Sequence, residues 1–199
     1  TTAAQGGDVT AMRLLAGKYD RGNGVTDDAV QAVAWYRRAA PNDAEAKFQL
    51  SRLYDIGRGT PRDGNAATTY LREAAAMGHG QATMTLAFRL ENGAGMRRDY
   101  DEAALWYRRA ADRGDATAML KLADWSRRGR GVEKDEAAAV DWFRKAADAG
   151  SSEGAWQAAQ AYLEGRGVAK DETQGMALLL RAAQMGNAQA AEELRKREG

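Results

Sequence analysis

Apolar residues along this chain recur three and four positions apart through segments of roughly a dozen residues, and no run alternates apolar with polar at a period of two. That pattern predicts helices and no strands. Paired glycines divide the segments at Gly22/Gly24, Gly57/Gly59, Gly93/Gly95, Gly129/Gly131 and Gly165/Gly167, with the leading members 35 and then 36 residues apart. An aspartate lies six residues after each leading glycine, at Asp28, Asp63, Asp99, Asp135 and Asp171. Alanine pairs close the units at Ala39/Ala40, Ala74/Ala75, Ala110/Ala111, Ala146/Ala147 and Ala182/Ala183. Self-similarity at this period is the mark of a solenoid, in which each unit buries its apolar stripe against its neighbours.

Each unit therefore holds two helices. The first ends at the glycine pair, where positive φ is accessible. The second begins at the aspartate, whose carboxylate can accept from the free amides of the first turn and favours the positive end of the helix dipole. Glu102, three residues after Asp99, adds capping-box spacing. Pro41 directly follows Ala39-Ala40, so the first junction should be irregular.

The first unit carries Ala11, Leu15, Tyr19, Gly22, Gly24, Val25, Asp28, Ala32, Trp35, Ala39 and Ala40, and the other four repeat this frame. The frame resembles the Sel1-like repeat, a relative of the tetratricopeptide repeat, over nearly the whole chain. The resemblance implies antiparallel helix pairs, with first helices lining a concave surface and second helices covering the convex one. Ala32, Ala67, Ala103 and Ala139 would let paired helices approach, and Trp35, Tyr70, Trp106, Trp142 and Leu178 would fill the space between layers. The expected architecture is all-α: one domain over residues 1–199, a right-handed α-solenoid of eleven helices. Five Sel1-like helix pairs occupy about 8–42, 43–78, 79–114, 115–150 and 151–186, and a C-terminal capping helix occupies 187–198.

Composition narrows the function. Lys and Arg total 29 against 28 Asp and Glu, a formal charge of +1, which leaves no basic excess for a phosphate backbone; nucleic acid is not an expected partner. The longest aliphatic stretch, Met176 to Leu180, is far short of the ~20 residues of a membrane span. With no cysteine there is no disulfide, thiolate nucleophile or cysteine zinc site, and the redox compartment stays open. The chain opens at Thr1 without an initiator Met, which fits cleavage by a signal peptidase or truncation. A periplasmic or exported location is the leading expectation, with the cytoplasm as the alternative. Ala-, Arg- and Gly-rich usage suits a bacterial source.

No catalytic constellation, metal site or cofactor is expected. The Gly-x-Gly pairs lack the preceding strand and third glycine of a dinucleotide loop. The single histidine, His79, reads as a surface loop residue with no second His or Cys near it. The repeated aspartates recur about one repeat apart, on the order of 10 Å, in identical capping settings. Basic doublets Arg37-Arg38, Arg108-Arg109 and Arg144-Lys145 read as a solvated convex face whose stems cover apolar surface, and Arg127-Arg128-Gly129-Arg130 with Arg97-Arg98 could attract an acidic partner.

One stripe does not fit the repeat core. Nine residues before each leading glycine stand Arg13, Phe48, Met84, Leu120 and Trp156, on a face well away from the shared core positions seven and eleven before it. One turn later come Arg52, Phe88, Asp124 and Gln160. Two readings are open: contact with the neighbouring first helix, or an apolar groove. The candidate binding site is Phe48, Arg52, Met84, Phe88, Leu120, Asp124, Trp156 and Gln160, receiving another protein or a peptide segment on a monomeric, non-enzymatic scaffold. The family resemblance implies an adaptor of this class. The alternatives it leaves are an immunity protein neutralising a secreted toxin or phospholipase effector, and a structural component of a bacterial envelope or secretion assembly.

Overall fold

The computed structural model describes residues 2–198, and the described residues form twelve α-helices and one 3-10 turn with no strand. In chain order these are α1 (Thr2–Gln5), α2 (Val9–Arg21), α3 (Ala29–Ala39), α4 (Ala44–Ile56), α5 (Gly64–Ala76), α6 (Gly80–Asn92), α7 (Tyr100–Ala111), α8 (Ala116–Arg128), α9 (Glu136–Asp148), α10 (Ser152–Glu164), α11 (Glu172–Gln184) and α12 (Ala188–Glu198). The helix beyond the eleven expected is α1, a single turn ahead of the first repeat that buries Ala4. The 3-10 turn, Ala40–Asn42, contains Pro41 and makes the first junction unlike the others, where α5, α7, α9 and α11 are each followed by a positive-φ glycine.

The chain divides into two compact units, one up to Arg98 and one from Asp99 onward. In the first unit α2 packs on α3 and α4 on α5, with α3–α4 and α5–α6 as neighbours; in the second, α8 packs on α9 and α10 on α11, with α7–α8, α9–α10 and α11–α12 as neighbours.

Helix starts and stops follow from single residues. Asp28, Asp63, Asp99, Asp135 and Asp171 each accept from a first-turn amide of α3, α5, α7, α9 and α11. The first helices carry a second capping series in the same role: Asp8, Asp43, His79, Asp115, Ser151 and Asn187. Glu102 receives the indole N–H of Trp106 at 3.2 Å.

In three of the five loops the second glycine meets a backbone, while Gly24 and Gly95 meet nothing within 4 Å. A Cβ on Gly59 would lie 2.1 Å from the carbonyl oxygen of Ala29, one on Gly131 2.2 Å from that of Tyr100, and one on Gly167 2.4 Å from that of Glu136. Each of these three loops thus rests on the first residue of the preceding second helix, a contact only glycine permits.

The interlayer position is one residue later than the sequence frame suggests. Tyr36, Leu71, Tyr107, Phe143 and Leu179 are the buried set, whereas Trp35, Tyr70, Trp106 and Leu178 are half-buried and only Trp142 joins the core. A step of one residue turns a helix by about 100°, enough to move a side chain from the interlayer space to its rim. There the tryptophans are roofed by the basic doublets: Arg38 sits 4.8 Å over Trp35, Arg109 4.4 Å over Trp106 and Lys145 4.3 Å over Trp142. Arg108 also reaches across to Trp142, at 5.5 Å.

Tyr107→Ala should therefore cost about 3–5 kcal/mol through cavity formation, while Trp106→Ala should cost well under that. Urea denaturation of both variants checks this; equal losses would place the two rings in the same environment.

Candidate functional site

In the first unit the stripe side chains come from α4 and α6. Phe48 is 4% exposed and stacks on the His79 imidazole with ring centroids 4.7 Å apart, so it is not part of an exposed row. The reason is His79, which is no surface loop residue. It caps α6, its Nδ1 accepting from the Ala82 amide at 3.1 Å, and this leaves Nε2 to donate to Glu45 at 2.8 Å. That contact begins a hydrogen-bonded chain along α4, since Glu45 receives Gln49 Nε2 at 2.6 Å and Gln49 Oε1 receives Arg52 Nη1 at 3.0 Å. Arg52 is thereby held on the surface with its charge presented. Met84 is half-buried, and Phe88, one turn on, is 56% exposed.

In the second unit the stripe comes from α8 and α10. Leu120 is half-buried, and Asp124 is clamped by Arg127 at 3.2 Å and Arg128 at 2.9 Å. Those two arginines are thus neutralised within their own helix, which removes them from a free basic patch. Trp156 packs on the cluster of Ala155, Ala159, Leu163 and Leu179 and is half-buried. Gln160 is half-buried, and its Nε2 is a buried donor with no acceptor among the described residues.

The stripe is therefore mixed. Phe48 and part of Trp156 answer to inter-helix packing, and Phe88 does not. Ile56, at the end of α4 and 67% exposed, extends the apolar surface of the first unit and was missed in the sequence. Its signal was present, because the residue just before the leading glycine is Arg21, Asn92, Arg128 or Glu164 in the other units. The capping role of His79 was equally legible in the register it shares with Asp43 and Asp115. Among the described residues no group of three or more His, Cys, Asp or Glu is placed to hold a metal ion, and no helix is long and apolar enough to cross a membrane.

Helix pairs with a capped start, a glycine stop and an open first-helix face define a helical-repeat interaction module. The Sel1 repeat profile matches residues 9–40, 44–79, 81–115, 116–151 and 152–187, and the chain belongs to this family. Sel1 repeat proteins are generally non-catalytic scaffolds for protein–protein interaction. Among solved structures the chain is similar to c5321, a protective antigen present in uropathogenic Escherichia coli strains, with 34% identity and a TM-score of 0.79 over 94% of this chain and 40% of that one. It is also similar to a Sel1 repeat protein from Oxalobacter formigenes, with 33% identity and a TM-score of 0.70 over 94% of this chain and 77% of that one. The chain thus spans less than half of the antigen's length. No curated protein matches it.

The Glu45 carboxyl sets a pH dependence. Burial pushes it up, but hydrogen bonds from Gln49 and His79, aided by the Arg13 charge, outweigh burial and hold it below the usual carboxylate range. Its stabilising contribution is present above the ordinary value of about 4.3 and is lost as pH falls through the lower folded value. Glu45→Gln should flatten the acid limb of stability against pH, measured by denaturation between about pH 3 and 6. Gln160→Leu should raise stability by about 1 kcal/mol, because it removes a buried donor that has no acceptor. A loss of stability on that change would mean the amide is satisfied.

Proposed function

We propose that the chain is a non-enzymatic scaffold that receives a segment of a partner protein on its first-helix face. Phe88, with Met84 below it and Arg52 nearby in the stripe, anchors the partner in the first unit. Trp156 and Gln160, with Leu120 and Asp124, do so in the second. The observation that carries this reading is the 56% exposure of Phe88, a large aromatic in the middle of a rigid helix where no core requires it. Phe48 supports the surface from beneath through its stack on His79. The unmet Gln160 amide adds a second pointer, since a rotamer change would offer it to a partner carbonyl.

Aromatic anchors concentrate binding energy, so Phe88→Ala and Trp156→Ala should each weaken a captured partner by about 2 kcal/mol, while Arg108→Gln and Arg109→Gln should change mainly the salt dependence. Calorimetric titration of the folded variants decides. Binding lost in the arginine variants and kept in the aromatic ones would move the site to the second-helix face.

A further inference from the structure

An open surface cleft of about 580 Å³ in the first unit lies outside the stripe, and a cleft of that size can admit a small ligand or a side chain. Its lining includes Arg37 from α3, Tyr54 from α4, Pro61, Arg62 and Asp63 from the loop, and Gly64 at the start of α5. Arg37 donates Nε to the Tyr54 hydroxyl at 3.1 Å and Nη2 to the same oxygen, and it makes no carboxylate ion pair among the described residues. Arg13, Arg58 and Arg89 of the same unit each grip a carboxylate. Arg62 likewise has only a neutral partner, the carbonyl of Asp55 at 2.9 Å. The one acid in the lining, Asp63, turns its Oδ1 to the Asn65 and Ala66 amides of α5.

Tyr54 is 8% exposed, and its oxygen already accepts from Arg37. Its own hydrogen has no acceptor among the described residues, and a buried hydroxyl requires one. Two guanidinium groups without carboxylates and a buried O–H with nothing to donate to all face one space. In the second unit the counterparts of Arg37 are Arg108 and Arg144: Arg144 has Asp141 three residues before it at 3.8 Å, and Arg108, with Leu105 three before it, lies over the Trp142 ring; Arg181, one place later in the frame, pairs with Asp148 at 2.8 Å, and the first unit has Ala34 at the place of Asp141. Likewise α9 and α11 begin with Glu136 and Glu172 where α5 begins with Gly64, whose added Cβ would meet nothing within 4 Å.

We propose that this cleft binds an oxyanion group, a carboxylate or a phosphate. The free N–H groups of Arg37 form the fork, Tyr54 donates its hydroxyl hydrogen, and Arg62 supplies the second positive charge. The site is independent of the stripe.

Arginine and backbone 15N resonances of the full chain, followed at constant ionic strength, test it in two arms: inorganic phosphate, and the blocked peptide acetyl-Ala-Glu-Ala-amide. Saturable shifts at the Arg37 Nε and the Gly64 amide are expected, with Kd on the order of 1 mM for the better arm. The tighter arm identifies the source of the oxyanion. Arg37→Gln and Gly64→Glu should each weaken binding by about tenfold or more, and Tyr54→Phe by a smaller factor. Gly64→Glu adds its side chain into open space, so it reports even if Arg37→Gln perturbs the fold. Shifts that stay linear in both arms, or saturation unchanged in both Arg37→Gln and Gly64→Glu, would overturn the proposal.

Discussion

The close approach of one loop glycine to one backbone carbonyl sets the spacing on which the rest of the repeat packing depends. At Gly59, Gly131 and Gly167 there is no room for a side chain, so the loop after each first helix is locked against the start of the preceding second helix. This fixes how far one helix pair can slide along the next. With that distance set, alanines such as Ala67 and Ala139 can sit at helix contacts with no exposure to solvent, and the larger side chains between them need only fill what remains. Gly24, in the first repeat, and Gly95 are the exceptions. A Cβ on Gly95 would meet nothing, and the residue it would rest on by register, Gly64, also meets nothing. The repeat whose second helix starts at Gly64 is the one that opens the Arg37–Tyr54 cleft, so a looser lock and an available space occur together.

Polar residues divide the remaining work by position. The capping aspartates satisfy the amides that a helix start leaves free, and they do so at both helices of a repeat. The basic doublets cover tryptophan faces at the rim, where a cation near an aromatic face remains partly hydrated. An arginine in such a place contributes packing as well as charge.

The frame was legible because glycine, aspartate and alanine answer to backbone geometry, and backbone geometry repeats. Positive φ at Gly22 and Gly57, caps at Asp28 and Asp63, and the break at Pro41 need no knowledge of tertiary contacts. The interlayer position was misread by one residue because Trp35 and Tyr36 are both aromatic, and only the orientation of the helix on its neighbours separates them. His79 was misread for a different reason. Its type suggested chemistry or a loop, while its place in the register made it a cap. The candidate stripe was least legible, since exposure at a helix face depends on what the adjacent helix brings: His79 closes over Phe48, and nothing comparable closes over Phe88.

That contrast explains how one frame can serve different partners. Seven residues before the leading glycine stand Leu15, Leu50, Leu86, Leu122 and Ala158, all apolar and all buried, because that position faces the core of the helix pair in every repeat. Nine before it stand Arg13, Phe48, Met84, Leu120 and Trp156, which differ in charge, shape and volume. A position that accepts arginine in one repeat and tryptophan in another is not specified by the fold. Each is accommodated by its own neighbours: Arg13 by Asp43 at 2.8 Å, Phe48 by His79, and Trp156 by the alanines of α10 with Leu179 of α11. Side chains on this face can therefore vary at little cost to the helix pairs beneath, and recognition can change there while the caps, the glycine contacts and the interlayer residues stay as they are.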